Sequence, residues 1–326
     1  MPDPAVPLVV VVDERIPLIA EWLRPYATVY TANGRSITTE LLRETGASIL
    51  IVRSTTRVHA QLLDGTAVET VCSATAGIDH IDTDYLNARG IWFAHAPGSN
   101  ADAVVEYVLA VIHRFRDVRN QTLGIVGVGN VGSRLARAAA EQGLNVLLCD
   151  PPKVEAGELH ATTGVSLANL LEQSTIITLH VPLTHSGLHP TYHMINQSTY
   201  RLIADGSLLI NTSRGGVVDE DCLDSRVDVV LDVFEGEPRL RERTVRIATH
   251  VTPHIAGYTQ QAKINGAVMI ACALAERLGL PELVATTVEP MDAASRLDYG
   301  LREAWLSDPR PETFDRLRRV PGDLSR

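Results

Sequence analysis

The chain has 326 residues, 45% of them hydrophobic and 21% charged, with a formal net charge of −10 at pH 7. That composition is globular and long enough for two cores. The acidic balance, with no basic run, argues against nucleic acid and against an anionic membrane surface as partners.

Residues 1–15, MPDPAVPLVVVVDER, lack a basic start, and their apolar run is short for a signal peptide. They read as a first buried strand. No stretch approaches the roughly 18–20 apolar residues of a membrane span. Cys72, Cys149, Cys222 and Cys272 form no C-x-x-C pair, which predicts reduced thiols in a cytoplasmic protein. No metal site is expected.

Short β-branched runs alternate with helical periodicity. The pattern predicts strands at 8–12, 48–52, 70–73, 124–127, 145–149, 175–180, 207–211, 227–232 and 245–249. Apolar strands separated by helices give a doubly wound α/β fold with parallel sheets. Pro97 and Gly98 mark a boundary, and a helix over 101–116 buries Val104, Val105, Val108, Leu109 and Ile112 on one side. A second long helix is expected over 260–278. Two such helices around a central unit predict a discontinuous first domain. The boundaries are 1–97 for its first part, 98–257 for a dinucleotide-binding unit, and 258–326 for the return helix and tail.

Gly127-Val-Gly129-Asn-Val-Gly132 lies between a predicted strand and a predicted helix over 131–142. In that context Gly127 permits a tight turn, Gly129 admits a pyrophosphate and Gly132 allows helix–strand packing. The next strand ends at Asp150, whose carboxylate suits ribose hydroxyls and repels a 2′-phosphate. The expectation is NAD rather than NADP.

Three later strand ends carry chemistry. One runs into Asn211-Thr-Ser-Arg214-Gly-Gly, where Arg214 can meet a substrate carboxylate with its planar fork. Another leads to Val-Phe-Glu235-Gly-Glu237-Pro, with Asp232 at the strand end as a candidate for the nicotinamide amide. A third precedes VTPHIAGYT, with His254. Glu235 and Glu237 are expected to point different ways. Glu237 is the expected partner of His254, fixing its tautomer and favouring its protonated form.

The order GxGxxG, Asp150, NTSRG, EGEP and PHIAG resembles the D-isomer-specific 2-hydroxyacid dehydrogenase family. The resemblance implies a Rossmann NAD-binding domain inserted into a flavodoxin-like substrate domain. It implies Arg214, Glu237 and His254 as the catalytic set. The stretches VDERIP, ILIVRSTTRV, SATAGIDHID, APGSNADAVVEYV, LLCDPP and HVPLTHSGLHPTYH are similar to a branch of the family acting on 4-phospho-D-erythronate, on a route to pyridoxal phosphate. That branch implies NAD-dependent oxidation of a phosphorylated D-2-hydroxy acid to the 2-oxo acid. By the same match, Ser54, Thr75 and Tyr258 would touch substrate, and Asn130, Val131, Val181, Thr212, Ser213, Asp232 and Gly257 would touch cofactor. Arg53 and Arg57 are the physical candidates for the phosphate.

In the expected mechanism neutral His254 removes the hydroxyl proton as hydride leaves C2, with Arg214 and backbone amides near Thr75–Gly77 on the carboxylate. The branch also implies a homodimer formed through a C-terminal domain. Here Glu289–Arg326 follows the second long helix, with a faint echo in ETFDRLRR, and the segment between Arg214 and Asp232 is short. The alternatives are a phosphonate, an unphosphorylated 2-hydroxy acid or 3-phosphoglycerate as substrate, or a non-catalytic NAD-sensing protein.

Overall fold

The computed structural model describes residues 8–160, 164–280 and 306–314. They fall into two compact units: 8–100 with 260–280, and 101–160 and 164–259 with 306–314. Each unit is a parallel α/β sandwich.

The first unit holds β1 (Val9–Asp13), β2 (Thr28–Ala32), β3 (Ile49–Val52), β4 (Thr70–Ser73) and β5 (Trp92–His95). Their spatial order is β2-β1-β3-β4-β5, all pairs parallel. This is the flavodoxin-like order, with its crevice between β1 and β3. Side chains alternate across the sheet. Val11, Leu50, Val52 and Val71 enter one core, and Val10, Val12, Ile49, Ile51 and Cys72 the other. The helix Gln260–Leu278 covers the second face through Ala267, Ile270 and Leu274. At Gly266 it lies against the chain after β4, where a Cβ would fall 2.5 Å from the Ala74 carbonyl oxygen. Strands β2 and β5 are not among the predicted strands. They are the two sheet edges, and their side chains are exposed or half-buried.

The second unit holds β6 (Thr122–Val126), β7 (Asn145–Cys149), β8 (Ile176–Leu179), β9 (Leu208–Asn211), β10 (Asp228–Leu231) and β11 (His250–Val251). The order is β11-β10-β9-β8-β6-β7, again parallel. The strand order reverses between β6 and β8, which puts the ligand crevice beyond their C-terminal ends. The helices Ala101–Phe115 and Asn130–Glu141 cover one face, and Leu170, Leu171, Tyr200, Ile203 and Phe314 lie in the core of the other.

The strand expected at 245–249 is corrected: Glu242–Ile247 is a helix and the strand is only His250–Val251. Val245 is buried from the helix instead. The short segment after Arg214 forms single 3₁₀ turns at Gly215–Val217 and Glu220–Cys222. Phe314, from the tail, packs edge-on against Phe234 with ring centroids 6.2 Å apart.

Candidate active site

The glycine-rich turn follows β6. Gly127 has φ +89°, a region that L side chains rarely adopt. A Cβ at Gly132 would lie 1.9 Å from the Gly127 carbonyl oxygen, whereas one at Gly129 would meet nothing within 4 Å. Gly132 is thus required for packing and Gly129 leaves open space over the turn. The helix Asn130–Glu141 starts here with no side-chain cap on its first amides, and such amides suit a phosphate. Asp150 supports the turn: Val128 N–H donates to its Oδ2 at 2.7 Å and Lys153 N–H to its Oδ1 at 3.2 Å. Beyond β9, the Thr212 hydroxyl is buried without a hydrogen-bond partner. A bound dinucleotide would supply one. These features fit NAD. Val181 stands half-buried beyond β8, the other side of the crevice.

Arg214 sits on a loop organised by Asn211, which is fully buried at the end of β9. Asn211 Oδ1 accepts from Ser213 N–H and Oγ–H, and its Nδ2 donates to Arg214 O at 2.9 Å. The Ser213 hydroxyl is thereby occupied. Arg214 itself is half-buried, with Nη1 on Ser213 O at 2.8 Å. The glycine after it is fixed by a close approach. A Cβ on Gly215 would fall 1.9 Å from the Phe234 carbonyl carbon. The arginine loop therefore lies directly on the loop that carries the two glutamates.

Those glutamates diverge. Glu235 accepts from Arg241 at 3.3 Å and pairs with His193 Nε2 at 3.0 Å. Glu237 turns the other way: its Oε1 accepts from Phe234 N–H at 2.8 Å and its Oε2 lies 2.9 Å from His254 Nδ1. With the carboxylate as acceptor, Nδ1 carries the proton. The other ring nitrogen, Nε2, then presents a lone pair. No partner for His254 Nε2 occurs among the described residues, and the side chain is 33% exposed. His254 adopts φ +56°, a conformation that costs a non-glycine residue free energy and must be held from outside.

Asp232 holds it. This carboxylate is 1% exposed. Its Oδ1 accepts from Thr252 Oγ1 and Ile255 N–H at 2.6 and 2.7 Å, and its Oδ2 from Ala256 N–H at 2.9 Å. Burial pushes its carboxyl pKa up, while His254 and these donors oppose the shift. The Thr252 hydroxyl spends its proton on Asp232, so Tyr107 must donate to Thr252. A second buried acid, Glu220, accepts from Glu235 N–H at 2.7 Å and Thr244 Oγ1 at 2.6 Å; burial likewise raises its pKa. Glu220, Thr252 and Tyr107 carry no catalytic signature in the sequence. Their roles come from burial and hydrogen bonding alone.

In the first unit, Ser54 and Arg57 are exposed just past β3. Arg53 is largely committed elsewhere. Its Nη2 contacts Asp13 Oδ1 and Oδ2 at 3.1 and 3.0 Å, with Asp13 fully buried. The Thr75 hydroxyl donates to Gly77 O at 2.9 Å, so it has no proton left for a substrate oxygen. Gly257 and Tyr258 follow His254 in the second unit, with Tyr258 N–H on Ile255 O.

Among the described residues no helix is long and apolar enough to cross a membrane. Residues 109–256 match the family model described as D-isomer specific 2-hydroxyacid dehydrogenase, NAD binding domain. The chain is 44% identical over 286 residues to the erythronate-4-phosphate dehydrogenase of Marinobacter nauticus, covering 84% of this chain and 74% of that protein. It is 38% identical to that of Chromohalobacter salexigens, covering 96% and 87%. Among solved structures, D-lactate dehydrogenase from Aquifex aeolicus, complexed with NAD and lactic acid, is similar at TM-score 0.68 and 26% identity, over 83% of this chain and 96% of that one.

Proposed function

The chain belongs to the D-isomer specific 2-hydroxyacid dehydrogenase family, and from that premise we propose that it oxidises 4-phospho-D-erythronate to the 2-oxo acid with NAD. The observation that carries the chemistry is the His254–Glu237 pair, whose proton sits on Nδ1 and whose Nε2 offers a lone pair. The support for the substrate is the name shared by relatives such as those of Marinobacter nauticus and Chromohalobacter salexigens.

When bound, NAD would supply the acceptor for the hydride from C2. Gly127, Gly129, Asn130, Val131 and Gly132 would hold its pyrophosphate, Asp150 its ribose, and Val181, Thr212 and Gly257 the remainder. His254 Nε2 takes the hydroxyl proton, and Glu237 stabilises the imidazolium that forms. Such general-base help contributes about 10²–10⁴-fold. Arg214 offers a guanidinium to the substrate carboxylate. Asp232 serves as a positioning residue for the histidine loop, with one acceptor site on Oδ2 left for cofactor. Ser54, Arg57 and Tyr258 are the proposed substrate contacts, with Arg57 rather than Arg53 as the main phosphate cation, because Asp13 neutralises Arg53. A homodimer in the cytoplasm completes the reading. All four cysteines are free thiols, in keeping with a reducing compartment.

The experiment is a panel of D-2-hydroxy acids read by NADH absorbance. 4-Phospho-D-erythronate should give the highest kcat/KM. A higher value for 3-phosphoglycerate or an unphosphorylated acid would replace the substrate.

A further inference from the structure

The loop after β4 carries a chain of side-chain hydrogen bonds whose direction is fixed by counting protons. Thr75 Oγ1 donates to Gly77 O at 2.9 Å. Its only proton is then spent, so at its 2.7 Å contact with Ser73 Oγ it must accept. Ser73 in turn has given its proton away. At its 2.9 Å contact with His80 Nε2 it must accept as well. The relay therefore runs from His80 Nε2–H to Ser73 to Thr75 to the Gly77 carbonyl. Ser73 is fully buried, so water does not compete for it. A second histidine acts one peptide earlier: His95 Nδ1 lies 3.3 Å from Ala76 O and donates to it.

A trans peptide points its C=O and its N–H in opposite directions. Pulling Ala76 O toward His95 turns the Gly77 N–H the other way. Pulling Gly77 O toward Thr75 does the same for the Ile78 N–H. Two successive peptide planes are thus held by side chains, and adjacent oriented amides make an anion-binding concavity. None of Ser73, His80 or His95 has a part in the mechanism above.

We propose that Ser73 and His80, acting through Thr75, and His95 are positioning residues that fix the Gly77 and Ile78 amides for the carboxylate of the substrate. The inference rests on the reading of the substrate as a 2-hydroxy acid, and it requires no particular group at the far end of that acid. Side-chain hydrogen bonds buried in this way fix orientation at low cost because Ser73 ends β4 and Thr75 follows it two residues on, so both are already ordered by the strand.

The test uses the full chain and four proteins: wild type, Ser73→Ala, His80→Phe and His80→Gln. Gln keeps an N–H donor near the place of Nε2; Phe keeps only the bulk. Oxalate, a 2-oxo acid mimic, is titrated calorimetrically in the presence of NADH, and KM and kcat are measured with whichever 2-hydroxy acid the wild type oxidises. Ser73→Ala and His80→Phe should raise the oxalate Kd and the KM about tenfold. kcat should stay within about threefold, NADH affinity should not change, and His80→Gln should behave like wild type. An oxalate Kd in Ser73→Ala and His80→Phe equal to that of wild type would overturn the proposal. So would a His80→Gln protein as impaired as His80→Phe, or a wild type with no affinity for oxalate. Rejection of 4-phospho-D-erythronate alongside the expected oxalate shifts would remove the substrate reading and leave the relay standing.

Discussion

His254 Nδ1 and Glu237 Oε2 lie 2.9 Å apart although 17 residues separate them in the chain. The pair forms because two loops, each past the end of a neighbouring strand of one sheet, are pinned by buried acids. Asp232 takes the backbone of Ile255 and Ala256, and Glu220 takes that of Glu235. Neither acid needs to touch substrate for the pair to exist.

Asp232→Asn tests the first pin. Three donors converge on the carboxylate, whereas an asparagine offers one oxygen and turns an N–H group toward other N–H groups. The variant should lose about 1–3 kcal/mol of stability, the cost of buried unmatched polar groups, and kcat should fall with it. NADH affinity should fall less than kcat, because asparagine removes only the Oδ2 acceptor offered to the cofactor. A loss of NADH affinity at unchanged melting temperature would instead make Asp232 chiefly a cofactor contact.

The turn under the dinucleotide is tested by Gly132→Ala. The added methyl would lie 1.9 Å from the Gly127 carbonyl oxygen, so backbone must move. We expect NADH affinity, read by fluorescence titration, to drop by at least about tenfold. Unchanged affinity would mean that the cofactor binds without this turn.

On the proposed reading, Asp150 favours NAD over NADP. Asp150→Ser removes the charge that repels a 2′-phosphate and should move the ratio of kcat/KM values toward NADP by about tenfold or more. The variant also loses an acceptor for Val128 N–H, so some loss with both cofactors is expected. A ratio that stays at the wild-type value would remove Asp150 from cofactor discrimination.

His180, at the end of β8, has its imidazole pKa pushed down from 6.5 to about 3 by burial. The unfolded chain therefore takes up a proton below pH 6.5 that the folded chain refuses. This contribution to stability is present above 6.5 and is lost as pH falls toward the folded value, with a slope of at most about 1.4 kcal/mol per pH unit. His180→Gln should flatten the acid arm of the stability curve, measured by urea unfolding at a series of pH values. An arm as steep as that of wild type would assign acid sensitivity to other groups.

Much of this arrangement is legible in the sequence because the informative residues are local. A strand, GxGxxG and a helix are contiguous, and the apolar runs of central strands are unbroken. Glu235 and Glu237 diverge because a turn at Gly236, with φ +83°, separates them, and the contacts of Glu235 with His193 and Arg241 show the result. What escapes is non-local. The edge strands β2 and β5 have too few buried positions to show a pattern. Residues 245–247 are β-branched or apolar in part but bury Val245 from a helix, a choice that propensity alone does not make. Arg53 reads as a free cation until Asp13, 40 residues earlier, is seen beside it. Phe314 belongs with Phe234 although nothing in the tail's composition points there.

The tail contact also predicts a measurable effect. Phe314 is 1% exposed in the second unit's core, so Phe314→Ala should cost about 3–5 kcal/mol and loosen the loop that presents Glu237. A melting temperature unchanged by the substitution would mean the tail adds nothing to that core.

The most direct test of the account is single-turnover oxidation of 4-phospho-D-erythronate by His254→Ala with NAD saturating. The account predicts a rate about 10²–10⁴-fold below wild type, with NADH affinity unchanged. A hydride-transfer rate near that of wild type would contradict it, because the proton would then have another acceptor.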